Sequence, residues 1–583
     1  MKFDSILVEV GVFGRYQIVL CLLITLTGIP SAWHAIGQVF LAAKTDHWCA
    51  VPESQSLNCS SLESDCLELQ KELTLPFTVD EDGNTVYSEC ERYLNARSSP
   101  EQGISNLTDG QDDGWTNETI ECDAGWEYDR SQYKTTIIQD FDLVCSKQTL
   151  PSLAQSVYFA GFLFGSFFWG IVADWGGRKP AFFLSLCVAV AATTAAAFVQ
   201  NMAFYTALRF FIAAGNFGVY LMSFIIVTEI VGPAYRTMVG TILAVLFSIG
   251  YALLAVMAYS LREWRHLQLA ISIPTFIFFA FFFFLPESPR WLISKKKFKQ
   301  AEKIIKSIAK VNKKSVPENM FAEEETIQEK ETNNILTRQP TQIDLFRTSN
   351  MRKKTLNIFF NWFVNSLVYY GLSLSTSDLG VDDYVAAFIS GAVELPAYLS
   401  SWFTIQRWGR RLPLALYLAT GGVACLTTIF IEPGVARAAV AMIGKFAISG
   451  SFNVIYIYSV ELYPTPVRSM GMGMSSMFAR ISGIIAPVIL ILGDFWKPLP
   501  LIVFGGCSLL AGVLALLLPE TLNQDLPETI QEGEDHGKGQ GFGLKTLFKK
   551  PYAPEVNDAD DTNQNYKKIP TDEKKDTNAS EVV

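Results

Sequence analysis

Three ionisable side chains stand near the centres of long apolar runs: Glu394, Lys445 and Arg480. An ionised group at mid-membrane depth costs about 2.5–3.5 kcal/mol on insertion scales, so such residues are functional or paired. Their charges sum to +1. The surplus positive charge leaves a place for one carboxylate from outside the chain, best held by Arg480, whose planar fork binds such a group through two parallel hydrogen bonds. Glu394 and Lys445 either pair with each other or leave Glu394 to face an external cation. Aromatic residues supply the other half of the pattern. Trp362 and Tyr369 are seven apart and share a helix face, with Tyr370 alongside. Phe452 lies seven beyond Lys445, and Tyr220 lies nine before Glu229. Rings lining a cavity hold an ammonium group by cation–π attraction, worth ~2 kcal/mol or more when desolvated. For a single ring, packing is the ordinary account; the set is harder to explain that way. His34 reads as a proton relay or, more ordinarily, a packing histidine. Arg209 reads as a guide for anions or, equally, as a side chain reaching back to the membrane interface or pairing helices.

Helices must position these groups. Of 583 residues half are apolar, 18% are charged and 42 are Phe, against about 25% charged in ordinary soluble domains. The net charge of −10 gives no support for nucleic-acid binding. Runs long enough to cross a bilayer lie at 17–41, 151–173, 180–199, 203–227, 237–260 and 265–285, then at 355–375, 384–405, 412–431, 435–459, 470–493 and 498–518. These twelve spans predict an all-α membrane protein. The first is too long for a signal peptide and lacks a cleavage site, so it is read as retained. Basic residues in the links after spans 2, 4, 8 and 10 put those links and both termini in the cytoplasm.

The expected organisation is residues 1–42 for the N-terminus and span 1, 43–149 for an extracellular loop, and 150–285 for spans 2–6. A cytoplasmic helical loop follows at 286–354, then spans 7–12 at 355–518 and a disordered cytoplasmic tail at 519–583. Residues 43–149 hold 22 acidic and 7 basic residues, and three glycosylation acceptors, Asn58, Asn106 and Asn117. They also hold Cys49, Cys59, Cys66, Cys90, Cys122 and Cys145, an even set that predicts three disulfides of undetermined connectivity. The loop 286–354 has 16 basic and 9 acidic residues, and Phe298–Val311 reads as an amphipathic helix near the membrane surface.

Three motifs recur at an offset of 232 or 233 residues. Asp174-Trp-Gly-Gly-Arg178-Lys179 matches Gln406-Arg407-Trp-Gly-Arg410-Arg411. Glu229-Ile-Val-Gly-Pro-Ala-Tyr-Arg236 matches Glu461-Leu-Tyr-Pro-Thr-Pro-Val-Arg468, and Pro286-Glu287-Ser288 matches Pro519-Glu520-Thr521. The chain therefore reads as two parallel six-helix pseudo-repeats, the layout of carriers that rock about a midplane site. The recurring charges, with Arg290, sit at the cytoplasmic ends of helices, where they are expected to gate the inner face or anchor its loops.

Gly170-x3-Asp174-x2-Gly177-Arg178-Lys179 resembles the loop signature of the major facilitator superfamily. Pro286-Glu-Ser-Pro-Arg-Trp-Leu292 is similar to segments of sugar porters and organic-ion transporters. The Cys-rich first loop and Glu461-Leu-Tyr-Pro-Thr-x-Val-Arg468 narrow the resemblance to the organic cation/anion/zwitterion transporter family, over residues 1–530. Tyr370-Gly-Leu-Ser-Leu374, Glu394-Leu-Pro-Ala-Tyr398 and Gly444-Lys445-Phe446 look closest to the carnitine/ergothioneine branch. The resemblance implies the major facilitator fold and a plasma-membrane carrier of a small organic ion. It also places Trp362, Tyr369 and Tyr220 in the substrate cavity. Cation carriers of the family have an acid where this chain reads Ala479-Arg480-Ile-Ser-Gly483, which favours zwitterions over simple cations or anions. The branch has Asn after the span 1 proline, whereas here Pro30 is followed by Ser31, so Na+ coupling is weakened as an expectation; the coupling ion stays open between Na+ and H+. No cofactor, metal site or catalytic constellation is expected, and no phosphate-binding loop supports ATP-driven pumping. A non-transporting receptor on the same scaffold is the alternative from a different class.

Overall fold

The computed structural model describes residues 3–52, 64–79, 85–95, 118–314, 341–522, 524 and 526–538. Asn58, Asn106, Asn117, Cys59 and the side chain of Cys66 lie outside the described residues. Helical segments stand where all twelve spans are expected. Span 1 is built from Arg15–Thr25, Gly28–Ile36 and Gln38–Leu41, broken just before Pro30 and again at Gly37. Spans 2–5 are Leu150–Gly176, Arg178–Ala196, Met202–Ile230 and Pro233–Ser260. Span 6 starts as the α-helix Trp264–Ser272 and tightens at Pro274 into the 3-10 helix Ile273–Phe283. Spans 7–12 are Ser349–Leu374, Asp383–Trp408, Arg411–Thr428, Val435–Leu462, Arg468–Phe495 and Leu499–Ala515. Among the described residues, eight helices are long and apolar enough to cross a membrane; spans 7, 8, 9 and 12 fall below that mark. Span 7 carries Arg352, Lys353 and Lys354 in its first two turns, and span 12 has 17 residues.

The packing repeats as the sequence does. Span 4 packs on spans 2 and 3, and span 10 packs on spans 8 and 9; span 1 lies on span 5 as span 7 lies on span 11. The halves meet through span 5 on span 8 and span 2 on span 11, the same contact under exchange of the repeats. Small residues permit it. A Cβ on Gly391 would come within 2.7 Å of the Ala252 backbone, and one on Gly483 within 3.0 Å of the Phe159 ring.

Each repeat also turns its span 2/3 or 8/9 corner alike. Gly177 and Gly409 have φ of +108° and +83°, a left-handed conformation that side chains with a Cβ resist. The next helix then presents free backbone N–H groups to a carboxylate. Glu287 accepts from Arg178 N at 2.8 Å and Lys179 N at 3.2 Å; Glu520 accepts from Arg410 N at 2.8 Å and Arg411 N at 3.1 Å. An acid at a helix N-terminus answers the dipole there. A Cβ at either glycine would stand 2.3 Å from that acid. Gly409→Ala is therefore expected to destabilise by at least about 1–3 kcal/mol, the usual cost of such backbone strain. A thermal unfolding curve superimposable on that of the unaltered protein would refute this account of the corner.

The first loop departs from an all-helical reading. Its described residues include three antiparallel two-stranded sheets beside the helices Ser64–Thr74 and Ile137–Asp140: His47–Cys49 with Trp126–Tyr128, Phe77–Val79 with Thr85–Tyr87, and Glu91–Tyr93 with Thr119–Glu121. Disulfides join Cys49 to Cys122 and Cys90 to Cys145. The loop is bolted to both halves. Trp264 Nε1 donates to Asp140 at 2.8 Å, and the Tyr133 hydroxyl donates to Asp383 at the start of span 8 at 2.8 Å. Burial, with the Asp383 carboxylate facing it, pushes the Tyr133 phenol well above its ordinary value. Tyr384 stacks on Phe40 and meets Tyr259 edge-on, so one apolar cluster spans both repeats on this first-loop face.

Two expectations are corrected on the opposite face, where the repeated motifs lie. The helix Phe298–Asn312 buries Phe298, Ala301, Ile305 and Ile308 against Ile6, Val10 and Trp291, so its apolar side is taken by protein and not by the membrane surface. The tail from 519 is not wholly disordered. Helix Ile530–Asp535 docks on the start of span 7, where Glu534 accepts from Asn350 N at 3.1 Å and Met351 N at 2.8 Å. Lys354 Nζ donates to the Gly533 carbonyl at 2.9 Å.

Candidate functional site

Spans 5, 7, 8 and 10 bring polar groups to one buried point. Glu394 and Lys445 are 0% and 1% exposed and pair at 3.0 Å. Both carboxylate oxygens are further satisfied. Tyr369 donates to Oε1 at 2.7 Å, while Ser248 and Tyr398 donate to Oε2 at 2.5 and 3.3 Å. Lys445 Nζ also donates to Ser373 Oγ and stands 3.4 Å above the centroid of the Tyr369 ring. An ion pair in a dry interior holds only when such additional hydrogen bonds complete it. The pair is complete, and Glu394 is not a free anion.

Arg480 differs. It reaches from span 11 across the seam, its guanidinium 5.3 Å from the Phe162 ring and 5.0 Å from the Phe217 ring of the other half. Nη1 donates to the Ser476 carbonyl at 2.7 Å and to its hydroxyl, and Nε is buried without a partner. Among the described residues no carboxylate stands within ion-pair distance of it. The trio therefore resolves into one neutral pair and one uncompensated cation.

The rings divide likewise. Trp362 is fully buried, its Nε1 donating to Ser459 at 2.9 Å, so it packs the wall and does not line a chamber as expected. The Tyr369 face is occupied by Lys445, which leaves no room there for a ligand cation. Phe452 does lie on their common face, 6.1 Å from Trp362 and 5.9 Å from Tyr369. Tyr370 meets Phe159 of the other half at 4.4 Å. Tyr220 stands within electrostatic reach of Arg480, Tyr370 and Tyr456. Arg480, Tyr220, Tyr370, Tyr398 and Phe452 are half-buried and Tyr456 is exposed, although they converge from spans of both halves. They gather where the two halves meet, and the Tyr398 hydroxyl joins this group to the Glu394–Lys445 pair. Tyr398 and Tyr456 were not singled out from sequence. Each lies four residues beyond a residue that was, on the same helix face, and that spacing is the signal that could have found them.

A cavity of about 480 Å³ opens on the first-loop face. Of the substrate residues expected from sequence, Lys445 alone lines it, beside Gln38, Gln155, Arg437, Asp494 and Lys497. The spare cation and the rings do not line this space.

The recurring charges join within each half. Arg178 pairs with Glu229 and Asp174, both at 3.1 Å, and Arg410 with Glu461 at 2.8 Å. Arg236 and Arg468 donate to the Thr228 and Tyr463 carbonyls at 3.1 and 3.0 Å. Arg407 lies over Phe403, and Arg290 is half-buried at the start of Pro289–Ser294. These contacts brace each bundle. His34 and Arg209 are both 1% exposed, and Arg209 bonds to the His34 carbonyl of span 1 and to Gln155 of span 2, so of its alternatives it pairs helices and does not reach back to the interface. Ser31 donates to the Thr27 carbonyl at 2.9 Å and to Asn216 at 3.4 Å. Cys21 and Cys425 are buried as packing residues, Cys507 is half-buried, and Cys187 is exposed on span 3.

Comparison with known proteins agrees with this architecture. Residues 104–532 match the family described as Sugar (and other) transporter. The Organic cation transporter protein of Drosophila melanogaster is 40% identical over 92% of this chain and 95% of its own. The Beta-alanine transporter of the same organism is 38% identical over 92% of this chain and 89% of its own. The inward open conformation of the xylose transporter XylE from E. coli shares the fold, with a TM-score of 0.52 at 15% identity, covering 67% of this chain and 89% of that one.

Proposed function

The chain belongs to the organic cation/anion/zwitterion transporter family of the major facilitator superfamily, and from that premise we propose that it carries small organic zwitterions by alternating access. The substrates are of carnitine, betaine or ergothioneine type, and the membrane is the plasma membrane, with both termini cytoplasmic. One observation carries the reading: among the described residues Arg480 has no carboxylate partner and lies against the Phe162 and Phe217 rings, while Glu394 is already neutralised by Lys445. A substrate carboxylate on the Arg480 fork cancels that charge, and its ammonium end lies among Tyr220, Tyr370, Phe452 and Tyr456. The 38% identical relative is named for β-alanine, a zwitterion.

The braces at Arg178 and Arg410 keep each six-helix bundle rigid, so that rocking is taken up where span 5 meets span 8 and span 2 meets span 11. Breaking the Tyr133–Asp383 contact opens the first-loop side. Simple organic cations are the second reading, favoured by the name of the 40% identical relative. Uptake in oocytes of a betaine, a quaternary cation and a dicarboxylate, each with and without Na+, separates the readings. The betaine is expected to enter fastest. Uptake of the quaternary cation with none of the betaine would overturn the zwitterion assignment, and the Na+ arms decide the coupling ion.

A further inference from the structure

A second uncompensated cation lies in the first half. Arg209 on span 4 is 1% exposed. Nη1 donates to the His34 carbonyl at 3.2 Å and Nη2 to Gln155 Oε1 at 2.5 Å, and the guanidinium lies 4.3 Å from the Tyr158 ring centroid. Both acceptors are uncharged. Among the described residues no carboxylate stands within ion-pair distance, and Nε is buried with no hydrogen-bond partner. The surroundings repeat that pattern. Gln38, 6% exposed, takes a hydrogen bond from Tyr205 on its oxygen at 3.0 Å and leaves its nitrogen unpartnered. The Nε2 of His34, one turn earlier on the same helical stretch, is likewise buried and unpartnered. A guanidinium and a carboxamide nitrogen offer only donors. The place is buried, holds unpartnered donors on Arg209 and Gln38 beside an unpartnered Tyr158 hydroxyl, and carries a full positive charge, which is costly unless something answers it. Lys445 shows the contrast, because its charge is met by Glu394. Gln38 and Gln155 line the cavity on the first-loop face, so that cavity reaches the side chain bonded to the guanidinium.

We propose that spans 1, 2 and 4 bind a small monovalent anion, chloride or a carboxylate of similar size, held by Arg209 Nε and the Gln38 amide nitrogen. The site does not depend on the role assigned to Arg480. Its test is thermal unfolding of the purified full-length protein as sodium chloride replaces sodium gluconate at constant ionic strength, with a parallel arm in sodium acetate. The unfolding temperature should rise and saturate with chloride, or with acetate alone if the site takes carboxylates, as expected for a ligand bound only by the folded state. The rise should persist in Arg480→Gln and disappear in Arg209→Gln. Gln155→Glu places a carboxylate where Gln155 Oε1 now meets Nη2, so it should raise the unfolding temperature in gluconate and remove the response to either anion. That variant keeps the idea testable if Arg209→Gln does not fold. The proposal is overturned if neither anion shifts the transition, if Gln155→Glu responds as fully as the unaltered protein, or if the shift is lost in Arg480→Gln.

Discussion

Arg480→Ala should remove uptake of carboxylate-bearing zwitterions while leaving the protein at the cell surface. The reason lies in what Arg480 lacks. It has no carboxylate partner among the described residues, so deleting it strands no buried opposite charge, and its half-buried side chain leaves no sealed void. The substrate loses two charge-assisted hydrogen bonds, each worth about 1.5–3 kcal/mol, so uptake at low substrate concentration should fall by more than about a hundredfold. Arg480→Lys should recover only part of it, because a point charge does not reproduce the planar fork. Quaternary cations that lack a carboxylate should be spared, or should enter faster once the repelling charge is gone. Radiolabelled betaine entering Arg480→Ala cells at the unaltered rate, with surface protein equal by biotinylation, would sink the assignment.

The second large effect concerns the neutral pair. Glu394→Gln alone strands Lys445, and Lys445→Met alone strands Glu394, in a place where both are essentially unexposed. Breaking a buried ion pair from one side costs about 3–5 kcal/mol, whereas replacing both partners is often close to neutral. Each single variant should therefore be depleted at the surface and unfold at lower temperature. The combination Glu394→Gln with Lys445→Met should recover much of both. The double variant should also keep a preference for zwitterions, since Arg480 remains. A double variant as unstable as the two losses added together would mean the groups act separately, and Glu394 would again be a candidate for the substrate cation.

Both predictions rest on a distinction that residue types alone could not make. Glu394, Lys445 and Arg480 stand out because an ionised residue within some twenty apolar ones is rare at any span. Which of them pair depends on how spans 5, 7, 8 and 10 are rotated. Ser248 lies 146 residues from Glu394, and no local pattern links the two. The same rotation turned Trp362 into the wall and gave the Tyr369 face to Lys445. Arg209 is a similar case. Its position near a span end left reaching for the interface and pairing helices equally open, and packing against Tyr158 and Gln155 decided for the second.

Determined by sequence alone were the places of the twelve helical stretches, the repeat, the Cys-rich loop and the surplus charge, because hydropathy, spacing and composition act over one helix at a time. Tertiary structure decided which carboxylate is already neutralised and which ring face is already occupied. It also decided that helix Ile530–Asp535 clips onto span 7, through Glu534 and Lys354 contacts with partners about 180 residues away. Those outcomes depend on side chains far apart in the chain, whose meeting is set by helix rotation and close backbone approach.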